Sequence, residues 1–439
     1  MILHPSSPLK GEITVPGDKS ISHRSIMLGA IARGKTEITN FLNAMDCLST
    51  IDCFRRLQIP IDCDGSTVVV HGKGLRGLEP KDGFAELYVG NSGTTARLLS
   101  GILSGQTFGA RVTGDDSITK RPMKRILDPL WQMNGDIRSE NNDDRLPLVY
   151  NTARILRRGS FLNGIDYHSP VPSAQVKSCI LLAGLYAGSP VRVTEQYLSR
   201  NHTELMMKNF GAEISATHNE DGSFSALLLP DSRLEGQKIK IPGDISSAAY
   251  YIAAALIVPG SELLIKNVGI NPTRDGFLRV CRDMGGRIDI LNKRLCGTEP
   301  VADLLIHSTS LHGTIVEGSL IPSLIDELPV IAVMASFAKG RTVIKDAAEL
   351  KVKETDRIMT TTLGLQAMGV CVQATDDGMI VHGGTEIRGA EIDTYKDHRI
   401  AMAFSVAALA AGSDTTIKDS DCVNISYPDF YNTLKSLQK

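Results

Sequence analysis

Along the chain, a short polar cluster is followed by a run of Ala, Leu, Ile and Met at helical spacing, then a glycine-containing turn, then a β-branched stretch. The pattern recurs six times. The copies run from Asp18-Lys19-Ser20 to Ile38, from Asn91-Ser92-Gly93-Thr94 to Val112, and from Ser173-Ala174-Gln175 to Val193. The others run from Asp244-Ile245-Ser246-Ser247 to Ile265, from Asp326-Glu327 to Ile344, and from Asp397-His398-Arg399 to Ile417. Apolar positions at a period near 3.6 predict a helix, and the β-branched stretch after the turn predicts a strand. Between copies lies a second, amphipathic helix ending near a glycine, as in Pro122 to Ile137, Asn201 to Ile214, Arg274 to Ile288 and Arg357 to Val372. Six copies in 439 residues give a unit of about 73 residues, longer than a usual solenoid period. Each copy is read as a small β-α-β-α-β-β fold, which makes the class mixed α/β (α+β).

Two phrases in this pattern are near duplicates. Val15-Pro16-Gly17-Asp18 and Ile241-Pro242-Gly243-Asp244 each place a Pro-Gly turn before a helix start. A chain of 439 residues favours more than one core. The duplication then divides it into a discontinuous domain, 1–17 plus 243–439, and a second domain, 18–242. Three repeats are expected in each, with a two-strand hinge at 16–18 and 241–244.

Composition narrows the chemistry. Every apolar run is broken well before the ~18 residues needed to cross a bilayer, so a soluble protein is expected. Met1 to Lys10 shows neither a basic stretch before an apolar core nor an Arg-rich amphipathic pattern, and a cytoplasmic location follows as an expectation. A net charge of -2 with 5% aromatic residues argues against nucleic acid as a partner. The eight cysteines, at 47, 53, 63, 179, 281, 296, 371 and 422, form no C-x-x-C pair and have no histidine at zinc spacing. They are read as free thiols, small apolar Cys in a core being the common case.

What remains sits at the starts of the apolar helices, whose first backbone N–H groups lack intrahelical acceptors. Aligned peptide dipoles add about half a positive charge there, so these ends favour phosphate and carboxylate. Cations stand in the same places. Ser20 and Arg24 share a helix face, with Lys19 expected at the cap. Gly93 lets a ligand approach the backbone, and Arg97 lies one turn further in. Arg121 precedes Pro122, which suits a first helical position, so its guanidinium is expected to project from a helix N-terminus. Lys351 to Arg357 is expected to open another helix, with Lys353 and Arg357 on one face and Glu354 in reach of the same ligand. Asp326-Glu327 and Asp397-His398-Arg399 open two more, Asp326 being also a good N-cap. Taken singly, each cluster reads as readily as an ordinary cap or a solvated charged face. Several such starts facing one cleft would make a strong site for phosphates and carboxylates.

Together these segments resemble the enolpyruvyl transferase family, and within it the 5-enolpyruvylshikimate-3-phosphate synthases, over almost the whole chain. The motifs that carry the resemblance are Gly17-Asp18-Lys19-Ser20-Ile21-Ser22-His23-Arg24, Gly90-Asn91-Ser92-Gly93-Thr94-Thr95-Ala96-Arg97 and Arg121-Pro122-Met123. Further along come Pro172-Ser173-Ala174-Gln175-Val176-Lys177, Ser199-Arg200-Asn201-His202-Thr203-Glu204, Asp326-Glu327-Leu328-Pro329, Lys353-Glu354-Thr355-Asp356-Arg357 and Asp397-His398-Arg399-Ile400-Ala401-Met402. The resemblance implies two domains, each of three βαβαββ repeats about a pseudo-threefold axis, closing on substrate. It implies transfer of the enolpyruvyl group of phosphoenolpyruvate to the 5-hydroxyl of shikimate 3-phosphate, with release of phosphate, on the route to chorismate and the aromatic amino acids. No metal or organic cofactor is implied. The expected partners are the two small molecules, with no membrane or nucleic acid, and the expected state is a monomer.

By motif position, shikimate 3-phosphate would meet Lys19, Ser20, Arg24, Ser173, Ala174, Gln175, Arg200, Asp326 and Lys353. Phosphoenolpyruvate would meet Lys19, Asn91, Gly93, Arg121, Gln175, Arg357 and Arg399. Asp326 would be the base at the hydroxyl and Glu354 the proton shuttle at C3, with Lys19 and Lys353 sharing charge and proton duties. Two positions depart from one branch of the family: Ala174, where that branch has Ser, and Ile425, where it has Lys. The Arg-Pro-Met and Ser-Ala-Gln-x-Lys forms are similar instead to the second branch, and glyphosate sensitivity at Gly93 stays open. Two other readings also stay open. One is the sister transferase acting on a UDP-amino sugar through a Cys-bearing loop, where this chain has Thr119-Lys120-Arg121 and no Cys between Cys63 and Cys179. The other is a non-catalytic anion-binding or scaffold protein on the same repeat fold.

Overall fold

Two kinds of apolar pattern give two kinds of helix. In the computed structural model, which describes residues 1–151 and 162–438, the runs that are apolar on all sides form helices buried nearly throughout. These are Lys19–Ile31, Gly93–Ser104, Ala174–Gly184, Ile245–Ile257, Leu328–Phe337 and His398–Ala410. The second helices, Met45–Arg56, Lys124–Gln132, His202–Phe210, Gly276–Asp283 and Arg357–Ala367, mix buried and exposed positions. Gly276–Asp283 buries Phe277, Leu278, Val280 and Cys281 and turns Arg279, Arg282 and Asp283 outward.

The chain divides into two units, Met1–Pro16 with Pro242–Lys439, and Gly17–Ile241. Each has its own hydrophobic core, and three small sheets belong to each. One sheet gives the rule for the rest. Phe84–Tyr88 and Gly109–Thr113 run parallel, and the buried helix Gly93–Ser104 between them is the crossover that parallel pairing requires. Leu148–Tyr150 and Ile137–Ser139 then add antiparallel, so the strands lie in the order first, second, fourth, third. Four other four-stranded sheets repeat this order of parallel and antiparallel pairs, and the sixth sheet has three strands. Where buried helices meet, backbone approaches are close: a Cβ on Gly101 would stand 2.2 Å from the Cys179 carbonyl oxygen, so only glycine fits.

The duplicated Pro-Gly phrases lie where the chain leaves one unit for the other. The strand before Gly17, Lys10–Thr14, pairs parallel with Glu262–Gly269, and the strand before Gly243, Lys238–Lys240, pairs parallel with Arg33–Thr39. Each crossing phrase therefore follows a strand whose sheet belongs to the unit being left. A Cβ on Gly17 would lie 1.8 Å from the Asn40 carbonyl oxygen, and one on Gly243 3.1 Å from that of Asn267. Asn40 and Asn267 have φ of 58° and 56°, so the same left-handed turn recurs at both crossings.

All eight cysteines are free thiols. Cys47, Cys53, Cys179 and Cys281 are buried, and burial pushes the Cys53 thiol up to about 12, which leaves it protonated and inert at neutral pH. Among the described residues, no cluster of three His, Cys, Asp or Glu could hold a metal ion, and no helix is long and apolar enough to cross a membrane.

Candidate active site

In the unit Gly17–Ile241, the helix starts are closed by short polar caps. Asp18 accepts the Ile21 N–H at 2.9 Å, Ser92 that of Thr95 at 3.1 Å, and Ser173 that of Val176 at 3.5 Å. Beside the first cap, Arg24 is fixed by three bonds. Its Nε donates to Thr203 Oγ1 at 2.7 Å, Nη2 to Ser178 Oγ at 2.8 Å, and Nη1 to the Ser20 carbonyl at 2.9 Å. Arg200 donates to Ser20 Oγ at 3.3 Å, and Lys19 pairs with Asp46 at 3.0 Å.

A second group gathers around Gly93. Arg121 donates to Asn91 Oδ1 and, at 3.4 Å, to Ser117 Oγ. Gln175 accepts from Arg97 Nη1 at 2.6 Å and donates to Thr94 Oγ1 at 3.1 Å. Half-buried Ala174 opens the helix that carries Gln175. A Cβ on Gly93 would lie 3.0 Å from Arg97 Nη1 and 3.4 Å from Arg121 Nη1, so both guanidiniums rest against bare backbone. Hydroxyl, amide and carbonyl oxygens thus accept from these arginines and fix where their guanidiniums stand.

In the other unit, cations and carboxylates interleave. Asp326 Oδ1 stands 3.6 Å from Arg357 Nη1 and 3.8 Å from Lys353 Nζ, and Oδ2 stands 3.7 Å from Arg399 Nη2. Arg357 also grips Asp397, at 2.8 Å from Nε and 3.2 Å from Nη2, and bonds Glu354 through Nη2. Burial works to lower the Arg357 pKa, but Asp397 and Glu354 outweigh it and the net shift is upward. Burial likewise works to raise Asp397, but Arg357 prevails and holds it below the usual carboxylate value. The pair is therefore ionised at neutral pH. Sequence reasoning expected mainly electropositive helix starts; here each cation stands beside a carboxylate, because a charge buried at this depth has to be paired.

Four local expectations are corrected. Asp18 is the N-cap of the first buried helix and Lys19 its first helical residue. Arg121 does not project from a helix start: the residue before proline is pushed to extended backbone, here ψ 136°, and the helix begins only at Lys124. Lys353 and Arg357 do not share a helix face, because Asp356 accepts the Ile358 and Met359 N–H groups at 3.1 Å and starts the helix at Arg357. Lys353 lies in extended backbone before it and still reaches Asp326. Asp326 is not a cap either, since Glu327 occupies that position without a side-chain cap bond.

Arg97, which the sequence places one turn into its helix without assigning it a substrate, joins Gln175 to the Pro122 carbonyl. Arg274 stands outside the sequence-derived set: it bonds Ser246 Oγ at 2.5 Å and faces Glu327 at 3.4 Å. The repeat itself signals Arg274. Arg121, Arg200 and Arg274 each fall two or three residues before a second helix, and Arg357 begins one. A cavity of about 430 Å³ bounded by Ile31, Arg33, Arg76 and Leu234, at the far end of the Lys19–Ile31 helix, contains none of the candidate residues.

His23 lies fully buried between these cations, with Nδ1 2.7 Å from Thr50 Oγ1. Burial first, then Lys19 and Arg24, hold its pKa well below 6.5, against a smaller opposing pull from Asp18. The folded state keeps the ring neutral while the unfolded state protonates, so stability falls as pH drops below the unfolded value. One such proton is worth about 1.4 kcal/mol per pH unit. The urea midpoint is expected to fall between pH 7 and pH 5.5, and His23→Gln to flatten that fall; an unchanged slope in the variant would contradict the assignment.

Residues 3–434 match the family described as EPSP synthase (3-phosphoshikimate 1-carboxyvinyltransferase). A protein of that latter name from Thermoanaerobacter sp. is 51% identical over 429 residues, covering 98% of each chain. One from Brevibacillus brevis is 50% identical over 432 residues, again covering 98% of each. The solved structure of an EPSP synthase from Acinetobacter baumannii superposes with a TM-score of 0.86 at 41% identity, covering 100% of this chain and 97% of that one.

Proposed function

The chain belongs to the EPSP synthase family, and from that premise we propose that it transfers the enolpyruvyl group of phosphoenolpyruvate to the 5-hydroxyl of shikimate 3-phosphate. The observation that carries the reading is Asp326 standing among Lys353, Arg357 and Arg399 at 3.6–3.8 Å, with Glu354 on the same arginine. In it, shikimate 3-phosphate is held by Lys19, Ser20, Arg24, Ser173, Ala174, Gln175 and Arg200, with Asp326 and Lys353. Phosphoenolpyruvate is held by Lys19, Asn91, Gly93, Arg121 and Gln175, with Arg357 and Arg399. Each substrate carries a phosphate and a carboxylate, which is the chemistry that bidentate guanidiniums recognise.

Asp326 takes the proton of the 5-hydroxyl as its oxygen bonds C2 of phosphoenolpyruvate, while Glu354 delivers a proton to C3. The product of this half is a tetrahedral ketal phosphate with a C3 methyl. Glu354 then takes a proton back from C3, the C2–C3 double bond re-forms, the C2–O bond to phosphate breaks, and the departing phosphate carries away the proton that Asp326 took from the hydroxyl. A base at the hydroxyl and an acid at the methylene must act in one complex, within hydrogen-bond reach of their atoms. Lys19 and Lys353 balance charge as phosphate leaves. We take the protein to act as a monomer in the cytoplasm.

Release of inorganic phosphate tests the reading. It is expected with both substrates together and absent when UDP-N-acetylglucosamine replaces shikimate 3-phosphate; the reverse preference would select the sister transferase, and no release with either acceptor a non-catalytic protein. Gly93 supplies a finer check. Overpacking of this kind costs about 1–3 kcal/mol, so Gly93→Ala should raise KM for phosphoenolpyruvate roughly five- to 150-fold. An unchanged KM would remove Gly93 from that pocket.

A further inference from the structure

Lys177 has 2% of its side chain exposed, yet carries a full charge. Its Nζ lies 2.9 Å from Glu195 Oε2, 2.8 Å from Glu204 Oε1 and 3.3 Å from the Ser199 carbonyl, so all three ammonium protons have acceptors. Burial works to lower its pKa, but Glu204 and Glu195 more than reverse this, and the ammonium stays protonated. The three ions come from three separate elements: the helix Ala174–Gly184, the strand Val191–Glu195 and the helix His202–Phe210.

Glu195 reaches two further segments. Its Oε1 accepts the Ser173 N–H at 2.9 Å, directly before Ala174 and Gln175. Its carboxylate also accepts the Ser199 hydroxyl, at 2.7–2.8 Å, and the Ser199 N–H at 3.3 Å. The N–H, hydroxyl and carbonyl of Ser199 are therefore all bound by the Lys177–Glu195 pair, and Arg200 is the next residue.

We propose that Lys177 and Glu195 are positioning residues for the acceptor substrate: the buried ion pair clamps Ser173 and Ser199 and so fixes the spacing between Ser173, Gln175 and Arg200. The inference rests on the assignment of those three to shikimate 3-phosphate. A contact made equally in the ground and transition states moves KM and leaves kcat unchanged, and misplacement by a fraction of the distances above is costly. Glu195→Gln keeps the shape of the side chain and loses the charge that the clamp needs.

The test is steady-state kinetics on purified Glu195→Gln, Ser199→Ala and Arg200→Ala, with folding followed by circular dichroism and urea midpoint. Glu195→Gln is expected to raise KM for shikimate 3-phosphate about tenfold or more with kcat within about twofold of the parent. Ser199→Ala should move KM in the same direction by a smaller factor. A folded Glu195→Gln with unchanged KM, or with lower kcat at unchanged KM, would overturn the inference, the latter being the mark of an interaction made only in the transition state. If Glu195→Gln does not fold, Ser199→Ala decides by the same criterion. Arg200→Ala separates the two levels: a raised KM there beside an unchanged Glu195→Gln sinks the clamp alone, whereas unchanged KM in both also removes Arg200 from the acceptor site.

Discussion

Asp326→Ala is expected to lower kcat by about 10²- to 10⁴-fold, the usual worth of a positioned general base, with the fold intact. Asp326 is surrounded by Lys353, Arg357 and Arg399, so its removal leaves three cations facing one another without the carboxylate between them. An anionic phosphoenolpyruvate would relieve that repulsion, and KM for it should not rise. A loss confined to KM would therefore mean that Asp326 binds substrate and moves no proton. Glu354→Gln should fall in the same range, since an amide cannot exchange a proton with C3. The double variant should lose far less than the product of the two single losses, because groups that act as one unit are strongly non-additive. Near-parental kcat in both single variants would refute the proton assignments.

Asp397→Asn is expected to cost about 3–5 kcal/mol of stability, the usual penalty for breaking a fully buried ion pair by removing one partner. Asp397 is 0% exposed and takes two bonds from Arg357, at 2.8 and 3.2 Å, and one from Thr355 Oγ1 at 3.1 Å. It also accepts the Arg399 N–H at 2.9 Å and so caps the last buried helix. Asparagine caps about as well as aspartate, so the loss in Asp397→Asn reports the charge, and Asp397→Ala should lose about 1 kcal/mol more through the cap. The sign with pH follows from the same pair. The Asp397 pKa is lowered on folding, so its contribution is present above the unfolded carboxylate value and disappears as pH falls through the folded one. Asp397→Asn should accordingly flatten the acid limb of the stability curve. Equal urea midpoints for parent and variant at pH 7 would contradict this account of Arg357.

The six apolar helices and the strands that follow them were legible because each helix is apolar on all sides and each strand is β-branched, patterns that depend on no distant residue. The placement of Lys19, Ser20, Gly93 and Gln175 in the first turns of buried helices was legible for the same reason. Lys353 was misplaced because a charged run has no apolar stripe to set its phase, and the decisive signal was the single Asp356 cap. Pro122 suits a first helical position, but its stronger effect is on the residue before it, which puts Arg121 in extended backbone. The Lys177 triad could not be read in advance, since Glu195 and Glu204 meet Lys177 only through sheet and helix packing. The carboxylate-rich character of the Asp326 set was equally hidden. The adjacent Asp326 and Glu327 lie far in sequence from Glu354 and from Asp397, and only folding gathers these carboxylates around shared cations.

Turnover in D₂O tests the addition–elimination account most directly. If Glu354 protonates C3 and then deprotonates it, the enolpyruvyl product formed from protiated phosphoenolpyruvate must carry deuterium on its methylene, seen by mass spectrometry and proton NMR. A product formed at full rate with only protium at C3 would contradict the mechanism.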